Sequence, residues 1–178
     1  MLEILIYVGR GHAPADHDEY SRMYQYSEEN RFHSRKHPRL KSYDYSQKNF
    51  YFITICTNQK KCIFGQPNVL NASGKIAEAS LFEIEKHFSG IRIDKYVIMP
   101  NHIHVIFEVT ENGNSLINAI GAYKSAVSKE IHNTDPELTV WQTSFHDHVI
   151  RNQAGYEKIW NYIETNPMKW EEDCFYQG

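Results

Sequence analysis

Hydrophobic positions along this chain follow two rhythms. Asn49-Phe-Tyr-Phe-Ile-Thr-Ile-Cys-Thr57 has the β-branched and aromatic density of a strand, and a polar turn follows at Asn58-Gln-Lys-Lys61. Past Asn71-Ala-Ser-Gly74 the spacing turns helical: Ile76, Ala79, Ser80, Glu83, Ile84 and Phe88 share a face widened by Leu81 and Phe82, and Ser89-Gly90 ends it. Residues 91–98 read as a second strand, Met99-Pro100-Asn101 as a tight connection, and residues 102–109 as a third strand antiparallel to the second. Leu116, Ile120, Tyr123, Val127 and Ile131 predict a second helix from Ser115 to about His132. Residues 141–150 read as a further strand or an ordered loop. Residues 152–156 lead into a last helix ending near Pro167, because a residue before proline avoids the helical region. The order is βαββα plus a further helix, an α+β layer of helices on an antiparallel sheet.

His102-Ile103-His104 breaks the apolar rhythm of the third strand. Side chains alternate along a strand, so both imidazoles point to one face. Such a pair is half of a metal site or two hydrogen-bonded structural histidines, and the strand alone leaves both readings open.

Composition narrows the class. A chain of 178 residues with 41% hydrophobic content fits one soluble domain. Cys56, Cys62 and Cys174 form neither a CxxC pair nor an even framework, which suits a reducing cytoplasm. The apolar opening stretch is short, contains Glu3 and has no basic leader, so no signal peptide or membrane span is expected. The net charge of -3 is unevenly placed. Residues 1–30 are acidic and Tyr-rich and read as an extension of unassigned role, with the domain proper over 31–178. Arg31, Arg35, Lys36, Arg39 and Lys41 then follow without an intervening acid, a segment able to neutralise phosphates or to serve as a solvated basic linker.

The last helix supplies candidate chemistry. Tyr156, Ile159, Trp160 and Ile163 form its apolar stripe, while Lys158, Tyr162 and Asn166 recur at intervals of four on an adjacent face. A tyrosine hydroxyl, with an ordinary pKa of about 10, is a poor nucleophile at neutral pH and needs activation. A divalent cation that polarises a phosphate would provide it, and the amide oxygen of Asn166 would complete coordination begun by His102 and His104. Mixed nitrogen and oxygen ligation suits Mn²⁺, with Mg²⁺ serving where phosphate oxygens share the shell.

Four blocks occur together and in order: Tyr51-Phe-Ile-Thr-Ile-Cys-Thr57, Met99-Pro-Asn-His-Ile-His104, Trp141-Gln142 followed by His146-Asp-His-Val-Ile-Arg-Asn152, and Tyr162-Ile-Glu-Thr-Asn-Pro-Met-Lys169. With the lead-in at residues 39–46, they resemble the single-tyrosine HUH transposases, and specifically the REP-associated branch, over roughly residues 31–170. The resemblance implies a ferredoxin-like antiparallel sheet with helices packed on one face, the sheet carrying the histidines and faced by a helix that bears the nucleophile. His102 and His104 match the metal ligands, Tyr162 the nucleophile, and Asn166 the polar residue four positions later. Insertion-sequence relatives carry glutamine there, and asparagine reaches one methylene less far.

The implied activity is metal-dependent cleavage and strand transfer of single-stranded DNA at hairpins through a covalent 5′-phosphotyrosine, by a monomer or a homodimer. The residues matching DNA-binding blocks or carrying suitable chemistry are Arg31, Arg35, Lys36, Arg39, Lys41, Tyr43, Tyr45, Lys124, His148 and Arg151, the two tyrosines by base stacking. Two other classes compete. A HIT-type phosphoesterase wants a third histidine where Ile106 stands, and a 2H type wants two His-x-Ser/Thr motifs, which neither 102–104 nor 146–148 supplies. The stronger rival is a domesticated, non-catalytic DNA-hairpin binder.

Overall fold

The computed structural model describes residues 43–110 and 114–176. The basic positions Arg31, Arg35, Lys36, Arg39 and Lys41, and the extension before them, lie outside the described residues. Four antiparallel strands form the main sheet: β1 (Asn49–Cys56), β4 (Ile91–Met99), β5 (His102–Val109) and β6 (His146–Ile150), in spatial order β4-β5-β1-β6. A two-residue ribbon, β2 (Gly65–Gln66) with β3 (Val69–Leu70), leads into the first helix. The helices are α1 (Ala72–His87), α2 (Leu116–His132) and α3 (Gln153–Thr165), and α3 runs directly into a 3-10 segment, Asn166–Glu172. The stretch after Trp141 thus resolves into a loop and a short strand, with Trp141 joined to Thr57 by a single bridge.

Local chemistry sets the element ends. The Asn71 side chain accepts from Gly74 N at 2.9 Å and opens α1; Asn152 does the same for α3 from Gly155 N at 2.8 Å. Gly74 also lets α1 approach the preceding chain, since a Cβ there would sit 2.3 Å from the Phe64 carbonyl oxygen. β4 and β5 pair from Ile91↔Val109 to Met99↔His102, so Pro100 and Asn101 form a two-residue loop.

The alternation along β1 and β5 gives the sheet two different faces. Tyr51, Ile53, Ile55, Ile103, Val105 and Phe107 join the main core with Ala77, Leu81 and Ile84 of α1 and Leu116, Ala119, Ile120, Tyr123, Val127 and Ile131 of α2. Phe52 and Ile106 point the other way and pack with Ile150 and with Ile159, Tyr162 and Ile163 of α3. The expectation of helices on one face therefore holds for α1 and α2 and is corrected for α3. A strand with apolar residues on both faces needs a cover on each side, and the stripe of α3 supplies the second.

Candidate cation and nucleophile site

Register carries the histidines onto the α3 face. His102 pairs with Cys56 and His104 with Thr54, so both side chains project on the same side as Phe52 and Ile106. Both residues are fully buried, and their rings lie 4.5 Å apart.

Hydrogen bonds aim the imidazoles. The Asn101 amide nitrogen donates to the carbonyl oxygens of Lys60 at 3.0 Å and Phe175 at 2.7 Å, so its oxygen is left to accept from His102 Nδ1 at 2.8 Å. That fixes the Nδ1–H tautomer and leaves the Nε2 lone pair directed into the site. His104 Nδ1 lies 2.8 Å from Thr54 Oγ1, and Nδ1–H donation to that oxygen orients His104 the same way. An imidazole held through one nitrogen and open at the other is the arrangement of a metal ligand.

Facing these nitrogens is the end of α3. Tyr162 is buried at 5% exposure, its hydroxyl 3.3 Å from His104 Nε2 and 3.4 Å from Asp173 Oδ2, to which it donates. Asn166 keeps helical backbone angles although it lies past the last residue of α3, so it stays one turn from Tyr162. Its amide nitrogen donates to Asp173 Oδ2 at 2.6 Å. The other carboxylate oxygen of Asp173 accepts from Phe175 N at 2.7 Å.

Two buried polar atoms at this spot have no hydrogen-bond partner: His102 Nε2 and Asn166 Oδ1. Leaving such an atom unsatisfied costs about 1–3 kcal/mol, and both are electron-pair donors. Donor atoms of His102, His104 and Asp173 all lie within 4.8 Å of one another. Burial, with the nearby Lys60 charge, pushes the His102 pKa down to about 3. Burial also holds His104 well below its ordinary value, helped by His102 and His146 and opposed by the Asp173 carboxylate. Both imidazoles are therefore neutral at physiological pH, the form that ligates a metal. The donor set fits a divalent cation with mixed nitrogen and oxygen ligation.

Asp173 escapes the sequence reading. It ends an acidic run, Glu171-Glu172-Asp173, of the kind that ordinarily faces solvent, and only the return of the chain after α3 buries it. Asn101 and Thr54, which hold the imidazoles, are likewise visible only in three dimensions.

The other candidates fall elsewhere. Lys124 sits on α2, beneath the opposite face of the sheet, and its ammonium donates to the carbonyl oxygens of Gln142 at 2.7 Å and Thr143 at 3.1 Å. Tyr45 is 3% exposed, packs in the main core and donates its hydroxyl to Asp147. Half-buried Tyr43 packs edge-on against Tyr45, ring centroids 5.0 Å apart. His148 pairs with Phe52, which puts it on the histidine-bearing face of edge strand β6. Burial lowers its pKa, assisted by Arg151 and opposed by Asp147, and Arg151 itself is exposed beyond the strand. None of the described helices is long and apolar enough to cross a membrane.

Comparison with known proteins points in one direction. The family described as "Transposase IS200 like" matches residues 44–166. An uncharacterized protein of Haemophilus influenzae is 34% identical over 169 residues, covering 81% of this chain and 94% of that one. A REP-associated tyrosine transposase of Escherichia coli K12 is 27% identical over 77 residues, 43% of this chain and 44% of that protein. Among solved structures, a REP-associated tyrosine transposase bound to a REP hairpin shares the fold, with a TM-score of 0.61 and 20% identity over 74% of this chain and 73% of that one.

Proposed function

This chain belongs to the IS200-like transposase family, and on that premise we propose that it is a metal-dependent endonuclease and strand transferase for single-stranded DNA at hairpins. The observation that carries this reading is the Tyr162 hydroxyl held 3.3 Å from His104 Nε2 within a single chain. That proximity supports an active site completed in cis, hence a monomer able to act alone. The hairpin substrate is suggested by the hairpin-bound structural relative.

A divalent cation, Mn²⁺ or Mg²⁺, would be held by His102 and His104 with oxygen donors from Asn166 and Asp173, and when bound it would neutralise charge on the scissile phosphate and orient it. The rest of the chemistry lies with the chain. Tyr162 Oη attacks the phosphorus, the bond from phosphorus to the 3′ oxygen breaks, and a 5′-phosphotyrosine forms with a free 3′-hydroxyl on the departing strand. Asp173 Oδ2, which accepts from the Tyr162 hydroxyl, is positioned to take its proton as the oxygen becomes a nucleophile. Thr54 and Asn101 keep the imidazoles in the donor tautomer throughout. Because the phosphodiester energy persists in the tyrosine linkage, a 3′-hydroxyl can attack it and rejoin DNA.

The test is incubation with Mn²⁺ and labelled hairpin DNA bearing single-stranded flanks, followed by a search for an adduct that survives denaturation. A Tyr162→Phe protein should form none; an unchanged adduct would assign the nucleophile elsewhere. Tight hairpin binding with no adduct at any sequence would favour the non-catalytic binder.

A further inference from the structure

We propose that Trp170 and Tyr176 form a base-stacking platform for unpaired nucleotides beside the cation site; this rests on the single-stranded DNA reading above and names a binding surface for it.

The platform is built by the return of the chain after α3. The 3-10 segment bends at Lys169, whose angles (φ -111°, ψ 24°) leave the helical range. The residues beyond it then fold against the histidines. Phe175 stacks at 4.5 Å from the His102 ring, and its carbonyl is pinned by the Asn101 side chain. Trp170 approaches the same imidazole at 6.0 Å and meets Tyr176 edge-to-face at 5.3 Å and 89°. The rings thus form a continuous series from exposed Tyr176 through half-buried Trp170 to the buried His102.

Exposure and charge narrow the ligand. Tyr176 is 40% exposed, and Met168, on the same segment after α3, is 76% exposed. Glu171 and Glu172 are exposed on the same segment while the Lys60 ammonium lies 5.1 Å from the Phe175 ring centroid, so charge around the rings is mixed and the ring faces themselves suit uncharged, flat groups. Bases are such groups. In a duplex their faces are already covered by neighbouring pairs, whereas unpaired bases offer open π-faces to aromatic side chains. Because Trp170 touches the ring of a cation-site histidine, a base stacked on it belongs to a nucleotide at or next to the scissile phosphate.

The experiment uses the full-length chain without divalent cation, so that no strand is cut, and two labelled probes. One is a blunt stem-loop hairpin; the other is the same hairpin with a short unpaired oligothymidine tail. The tail should raise affinity for the wild-type chain, and Tyr176→Ala and Trp170→Leu should each lose roughly 5- to 150-fold of that gain, the range of one stacked base, while binding the blunt hairpin unchanged. The tailed probe should also quench intrinsic tryptophan fluorescence in the wild type and not in Trp170→Leu. Tyr176 is exposed and away from the histidines, so its variant reports on stacking even if Trp170→Leu disturbs packing. Undiminished tail gain in both variants, or quenching that survives Trp170→Leu, overturns the platform. Blunt-hairpin binding with no gain from the tail overturns it too, yet leaves the DNA reading standing; binding of neither probe removes both.

Discussion

The two faces of the sheet use the same strands for opposite purposes. On the α1/α2 face, Ile53, Ile55, Val105 and Phe107 join an apolar cluster in which nearly every residue is buried, and Asp147, opposite Ile53 on edge strand β6, accepts from the Tyr45 hydroxyl. On the α3 face, Phe52 and Ile106 begin a similar cluster, but one step along the strands Thr54, His102 and His104 replace it with buried polar groups. The first layer gains chiefly from apolar burial. The second retains two unsatisfied acceptors, His102 Nε2 and Asn166 Oδ1, at a cost that a bound cation would remove. Orphaned electron-pair donors gathered beside Tyr162 and Asp173 are what make the α3 face the proposed working face.

The sharpest way to break the comparison is to remove a single oxygen from the working face. Tyr162→Phe should bring adduct formation to background while changing unfolding free energy by less than about 1 kcal/mol, because the hydroxyl's contacts with His104 and Asp173 are long, at 3.3 and 3.4 Å. Parallel adduct assays and urea melts would check it; a collapse of stability would mean that Tyr162 is chiefly a packing residue. The opposite face should respond in the opposite way. Ile120→Ala, at a fully buried α2 position, should cost about 2–5 kcal/mol in urea unfolding and leave adduct yield per folded molecule unchanged. An Ile120→Ala chain that stays folded but no longer forms adduct would show that the faces are coupled.

The same contrast explains what was legible in the sequence. The β-branched and aromatic runs of β1, β4 and β5 and the helical stripes of α1, α2 and α3 follow from burial on regular elements, and such local patterns report burial well. His102 and His104 were readable because two polar residues with strand spacing violate the pattern around them. Asn166 was readable from its one-turn offset from Tyr162. Asp173 was not, since a carboxylate in an acidic run becomes buried only after the turn at Lys169 brings the chain back, and no local rhythm encodes that return. The stripe of α3 did not give its side of the sheet either, since it states that the helix is covered and not by which face; only the resemblance put that helix opposite the histidines. Tyr45 shows the converse, with a polar, aromatic lead-in suggesting an open stacking surface while the fold spends the ring on the core and the hydroxyl on Asp147.

A gentler perturbation fills the working face rather than cutting it. Mn²⁺ at about a hundred times its dissociation constant should add about 2.7 kcal/mol to stability, because it binds the folded chain in preference to the unfolded one. His102→Ala and His104→Ala should each abolish that gain, and Ile120→Ala should keep it even though its starting stability is lower. Melting curves with and without Mn²⁺ would measure both. An equal rise in the histidine variants would place the cation elsewhere and leave the two orphaned atoms without the explanation offered for them.

The smallest effect concerns how α3 is held over the sheet. Lys95, on the α3 face of β4, pairs with Glu164 and also places its ammonium 4.0 Å from the Trp160 ring centroid. The Lys95 side chain is 22% exposed and that of Glu164 54%, so solvent screens the ion pair, which is worth a few tenths of a kcal/mol to about 1 kcal/mol. The less hydrated contact with the indole contributes about 0.5–1 kcal/mol. Lys95→Ala should therefore cost about 1 kcal/mol, and double-mutant cycles should assign more of the coupling to Trp160 than to Glu164, with only the Glu164 part fading as salt is raised. Adduct formation should change little, because Ile159 and Ile163 packed on Phe52, Ile106 and Ile150 remain to dock the helix. A loss of adduct much larger than the loss of stability would mean that this exposed latch, rather than the apolar stripe, sets the position of Tyr162 against His104.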